Sequence, residues 1–233
     1  MLVMNDSISI QQARNRKFWP ALLYTAGFLI VLQLIRAALD LAAVRLLPAD
    51  LPLRSEWSFL ITFGGLTLIW LLVLRPTRSQ LGLEISGISR TSRIIYIGMG
   101  AILLLLFVWA AFIDLRLLAT NLATALVLPI AEELIFRGYL WNKIENSLTG
   151  RWQQPLTWAV TTALFAVWHL GYFDAVAQNT PSEVLQETGL AFIMFTKVLI
   201  GGALGLLAGL GRWKTQRVYA AVFIHAMWNT FGR

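Results

Sequence analysis

The chain has 233 residues, 58% hydrophobic and 13% charged, with a mean hydropathy of +0.67, whereas a soluble domain of this size carries about 25% charged residues. Composition therefore points to an integral membrane protein, expected to be an all-α bundle because only helices and closed barrels satisfy their backbone in lipid. The formal net charge of +7 does not imply nucleic acid, since the lysines and arginines fall in short clusters between apolar runs, as orientation signals do. Cysteine is absent, which excludes disulfides, thiolate metal sites and a cysteine nucleophile.

Crossing a hydrocarbon core of roughly 30 Å takes about 20 residues. Seven apolar spans are predicted, at about 18–38, 57–74, 94–113, 118–141, 155–177, 189–211 and 217–231. The first follows Arg14, Arg16 and Lys17 but is longer than a signal core and lacks a clear cleavage site, so it reads as a retained span. The last is short, and six spans with a half-inserted helix is the alternative. No repeat or low-complexity tract interrupts the chain, which reads as one integral membrane domain, 1–233, with the chemistry concentrated in 118–231.

Thirteen of the nineteen basic residues fall in the N-terminal tail, 75–93, 137–154 and 212–217, all on one side of a seven-span chain. The other side carries Asp40, Asp50, Glu56, Asp114, Asp174, Glu183 and Glu187. The positive-inside rule then places the N-terminus in the cytoplasm and Arg233 outside. Trp19, Trp57, Trp70, Trp109, Trp152 and Trp213 lie near predicted span ends, as an aromatic belt requires. The basic segment 75–93 reads as a connection lying on an anionic leaflet.

The fourth span contains AEELIFRGYL, 131–140, where two carboxylates and an arginine enter an apolar stretch. Ionisable residues inside a span are candidates for function by default. Residues four apart share a helix face, so Glu133 and Arg137 are expected to pair along the axis. Glu132 is turned about 100° away. It has no local partner and is free to act as a general base or acid. Pro129 is expected to kink the helix just before it.

Both histidines of the chain, His169 and His225, fall inside predicted spans. His169 has Phe165 one turn earlier, placed to pack the imidazole. His225 and Asn229 share a face and offer two hydrogen-bond donors side by side, the arrangement an oxyanion needs. For His169 to reach the depth of Glu132, the fifth span must run on to about 177, with Asp174 near its outer end. In the sixth span Gly201, Gly205 and Gly209 recur every four residues, a pattern for close helix packing rather than a phosphate loop. Lys197 of the same span is expected to snorkel toward the headgroups.

EELIFR, FAVWH and HAMWN, in that order on successive late spans, resemble the three motifs of the CAAX protease and bacteriocin-processing membrane family. The resemblance covers about 118–231, and it implies an intramembrane endopeptidase acting on a membrane-associated peptide or protein. In relatives the first glutamate and first histidine activate a water, while the second histidine and the asparagine stabilise the tetrahedral oxyanion. Carried over, Glu132 and His169 hold the water and His225 and Asn229 receive the developing charge; Glu133, Arg137 and Phe165 support them. A metal-free reaction is favoured, because the chain lacks histidines at i, i+4 with an adjacent glutamate. The alternative is a zinc enzyme with Glu132, His169 and His225 as ligands. A non-catalytic immunity or scaffold protein and an ion carrier are the rivals from other classes. The expected setting is a multi-pass protein of a bacterial inner membrane, with the lipid bilayer and the peptide substrate as partners, no nucleic acid, and an undetermined oligomeric state.

Overall fold

In lipid every backbone polar group must be paired within the protein, and the apolar runs respond by becoming helices. A computed structural model describes residues 17–231; Arg14, Arg16 and Arg233 lie outside the described residues. Among the described residues eight helices follow one another: α1 Phe18–Leu46, α2 Arg54–Leu74, α3 Arg90–Ile113, α4 Leu115–Glu145, α5 Gln153–Asn179, the short α6 Ser182–Thr188, α7 Leu190–Thr215 and α8 Val218–Phe231. No strand occurs among the described residues. Six of the helices, all but α6 and α8, are long and apolar enough to cross a membrane. Each of the seven predicted spans is therefore a helix. The last has 14 residues, which at about 1.5 Å per residue reaches only about 21 Å. The chain is a multi-pass membrane protein with a short terminal helix docked against α7 and α4.

Local chemistry sets the corners. Ser89 caps α3 by accepting from the Ser92 amide at 3.1 Å, and Asp114 caps α4 by accepting from the Arg116 amide at 2.9 Å. These side chains satisfy amides that the first helical turn leaves unpaired. Within α4, wide π turns at Leu122–Val127 and Leu134–Leu140 flank Pro129. A proline removes one ladder hydrogen bond. Widening accommodates that loss and re-aims the following side chains, a device frequent at functional sites. The expected disturbance at Pro129 thus takes the form of two wide turns, one on each side of the glutamates.

The segment 75–89 does not simply lie on a leaflet. Leu81 is buried with Leu134, Leu140 and Val218 in the main core. The amide of Val218 donates to Gly82 O at 3.2 Å, and the Tyr219 hydroxyl donates to Leu83 O at 2.8 Å. Gly82 has φ +65, in the left-handed region that glycine tolerates best. A Cβ on Gly138 would stand 3.0 Å from Leu81 O, so the loop rests directly on α4. Burial of one leucine wins over the surface reading because it fills the end of the bundle.

Two further expectations change. Trp19, Trp57, Trp109 and Trp152 are exposed near helix ends, but Trp70 is 2% exposed and packs on Phe28 and Tyr139 with ring centroids 6.4 and 6.1 Å away. It belongs to the core, not to an aromatic belt. Arg137, counted above among the loop charges, is fully buried.

Leu81→Ala is expected to destabilise the protein by about 2–5 kcal/mol, the usual cost of emptying a buried leucine site. Denaturation of the detergent-solubilised protein checks this, and an unchanged midpoint would show that the loop does not seal the core.

Candidate active site

The chemistry is assembled where α4, α5, α7 and α8 meet. Glu133 is fully buried, and its Oε1 accepts from Arg137 Nη1 at 3.1 Å and pairs with His225 Nδ1 at 2.9 Å. The predicted intrahelical pair is present, and it has a third member from α8. Arg137 also donates through Nη2 to Gly205 O at 2.9 Å, and its guanidinium lies 4.3 Å from the Phe165 ring centroid. Glu133 Oε2 and Arg137 Nε make no hydrogen bond among the described residues, so the ion pair is single-pronged rather than a fork. Since a carboxylate only accepts, His225 presents Nδ1–H to Glu133. Its Nε2 then points the other way, 3.8 Å from Glu132 Oε2.

Glu132, 1% exposed, is not the unpartnered acid that helical spacing suggests. Oε1 accepts from Trp168 Nε1 at 2.8 Å and from the Tyr172 hydroxyl in a short bond. Oε2 remains for other chemistry. Both donors come from α5, where the helix tightens into a 3-10 turn over His169–Tyr172. In the tightened turn Trp168 and Tyr172 reach Glu132 of α4, while His169 lies against Gly201 of α7. The α5 helix runs on to Asn179, as the depth argument requires.

His169 is half-buried, with its Nδ1 2.8 Å from Phe165 O. A carbonyl can only accept, so Nδ1 carries the proton and Nε2 is left as a lone-pair base. Phe165 and Tyr172 hold the ring edge-on at 4.9 and 5.7 Å. Opposite stands Gly201, where a Cβ would lie 2.6 Å from His169 Nδ1. Gly205 is similarly covered by Arg137, Thr162 and Phe165, and Gly209 by Trp158. The glycine stripe of α7 thus packs against side chains of the site itself.

Asn229, one turn after His225, donates from Nδ2 to Thr124 O at 2.7 Å. That bond engages one of its two amide protons. Glu132, His169, His225 and Asn229 all line one cavity of about 940 Å³, together with Tyr172 and Lys197. Among the described residues no three Asp, Glu or His side chains are grouped closely enough to hold a metal ion. Nδ1 of each histidine is engaged, that of His225 by Glu133 and that of His169 by Phe165 O, which leaves Nε2 as the free ring nitrogen of each.

Sequence reasoning missed the support for the 3-10 turn. Gln33 of α1 donates to Trp168 O at 2.9 Å and accepts from Arg36 Nε at 2.8 Å. Arg36, 3% exposed, donates to Gly171 O at 2.9 Å and to both oxygens of Asp174 at 2.7 Å. Trp168 O and Gly171 O are carbonyls that the change of helix pitch exposes, and α1 supplies their donors. The available signal was an arginine and a glutamine three apart inside the first span.

Gln33→Leu with Arg36→Leu is expected to release the turn. Amide hydrogen exchange over 169–175 should accelerate by at least about tenfold, equivalent to about 1.4 kcal/mol, while 155–165 stays protected. Equal acceleration along all of α5 would mean that α1 braces the whole helix instead.

The family model described as type II CAAX prenyl endopeptidase Rce1-like matches residues 114–231. No curated protein and no solved structure matches the chain. The matched segment begins at the cap of α4 and ends with α8, so it contains Glu132, Glu133, Arg137, His169, His225 and Asn229 and leaves α1 to α3 outside. With half of its length covered by that match, the chain belongs to the Rce1-like family of type II CAAX prenyl endopeptidases, a family of CAAX-type intramembrane proteases.

Proposed function

We propose that the protein hydrolyses a peptide bond in a membrane-associated peptide or protein, using a water held between Glu132 and His169. The observation that carries this reading is the shared cavity, which both residues line together with His225 and Asn229. Glu132 Oε1 is occupied by Trp168 and Tyr172, so Oε2 is the atom available to take a proton. His169 faces the same space with Nε2 unprotonated, which suits it to orient the water through its lone pair.

Attack joins the water oxygen to the scissile carbonyl carbon, and the proton passes to Glu132. The carbonyl oxygen becomes an oxyanion, which accepts from His225 Nε2–H and from the second amide proton of Asn229. Donation from Nε2 requires the imidazolium form, because Nδ1–H is already given to Glu133. With His225 in that form, two carboxylates face two cations before attack, and the oxyanion takes the place of the Glu132 charge after it, so the buried set stays neutral overall. As the C–N bond breaks, Glu132 returns its proton to the leaving nitrogen, giving a carboxylic acid and an amine. Every step uses side chains of this chain, and a zinc ion is not needed.

Glu132→Gln is expected to abolish cleavage of a membrane peptide while the protein remains folded; full activity in that variant would exclude Glu132 as the base. Asn229→Ala should lower the rate by about two to three orders of magnitude with little change in KM, as loss of an oxyanion donor does. Glu133→Ala and Arg137→Ala should instead reduce the amount of folded protein, because each strands a buried charge. Activity should survive a strong chelator, with no stoichiometric zinc in the purified protein.

A further inference from the structure

The two ends of the bundle differ in access and in charge, and the two differences coincide. Toward one end the cavity runs from Glu132 and His225 out to Val44, Ser55, Gln178 and Asn179, all exposed. These residues sit at the C-terminus of α1, the N-terminus of α2 and the C-terminus of α5. Toward the other end the site is closed. Arg212, 4% exposed, donates to Arg137 O at 2.9 Å; Leu81 rests on Gly138; and Val218 is tied to Gly82.

The closed end is the basic one. It carries the arginines and lysines of 75–93, 143–151 and 212–217, and Arg217 Nη2 joins two of these clusters by donating to Ser86 O at 2.6 Å. The open end carries Asp40, Asp50, Glu56, Asp114, Glu183 and Glu187 against Arg45, Arg54 and Arg116, so acidic residues outnumber basic ones there. Basic connections between spans are retained in the cytoplasm. A cavity that opens away from them opens to the opposite compartment.

We propose that substrate enters from the non-cytoplasmic face, so that the class cleaved is the membrane-anchored segment of an exported or secreted peptide or protein. This rests on the proteolytic reading above for the cleavage, but not for the sidedness. The volume of about 940 Å³ is within the range of about 300–1,000 Å³ that ligand sites span. A polypeptide tethered in the outer half of the bilayer reaches Glu132 through the mouth at Ser55 without crossing the closed basic end.

The absence of cysteine makes the full chain itself the reagent. Ser55→Cys and Ser86→Cys, one at each end, are treated with a membrane-impermeant maleimide in intact spheroplasts and in inverted vesicles. Ser55→Cys should react at least about tenfold faster in spheroplasts, and Ser86→Cys only in inverted vesicles. The reverse pattern, or reaction of both cysteines from one side, overturns the proposal. In parallel, peptides released by cells with the native chain and with Glu132→Ala are compared by mass spectrometry. Fragments that depend on Glu132 should appear outside the cytoplasm, and their confinement to the cytoplasm overturns the substrate assignment. Absence of any such fragment, with labelling as expected, overturns the proteolytic reading and the substrate class with it, and leaves the outward opening standing.

Discussion

A single carboxylate, Glu133, holds the site together. It is fully buried and bonded to Arg137 on its own helix and to His225 on α8. Burying an ion costs several kcal/mol unless its partners are well placed, and removing one partner of a buried pair costs about 3–5 kcal/mol. Arg137 in turn reaches Gly205 O on α7 and lies over Phe165 of α5. Three helices besides α4 are thus tied to one buried acid and its arginine. In lipid, where apolar side chains gain little by leaving tails for one another, such polar contacts and close van der Waals fit decide which faces meet.

A second constraint works from outside the segment that the family match covers. The 3-10 turn in α5 brings Trp168 and Tyr172 to Glu132 and leaves carbonyls in need of donors. Gln33 and Arg36 provide them, and Arg36 is itself neutralised by Asp174. The order of effects runs from α1 through the turn to the carboxylate. The first third of the chain therefore does more than anchor the protein.

Much of this was legible in the sequence because the lipid phase simplifies the code. Long apolar runs can only be helices, and an ionisable residue in their midst stands out, so Glu132, Glu133, Arg137, His169, His225 and Asn229 were all singled out. What could not be read was any relation that depends on rotation between helices. Glu132 looked unpartnered because its donors lie 36 and 40 residues away. Trp70 looked interfacial because its position along the helix was clear and its facing was not. Leu81 was hidden by the polar character of its neighbours, since one buried side chain leaves no periodic trace.

The glycine stripe of α7 also fixes how far that helix can slide. Small residues at 201, 205 and 209 repeat with the helical turn, but a shift of one turn, about 5.4 Å, would bring Lys197 against His169 or Trp213 against Trp158, where an added Cβ already stands under 3 Å from the ring. The bond from the Arg137 guanidinium to the Gly205 carbonyl reinforces the same register, and with it the depth at which the His169 imidazole is caged.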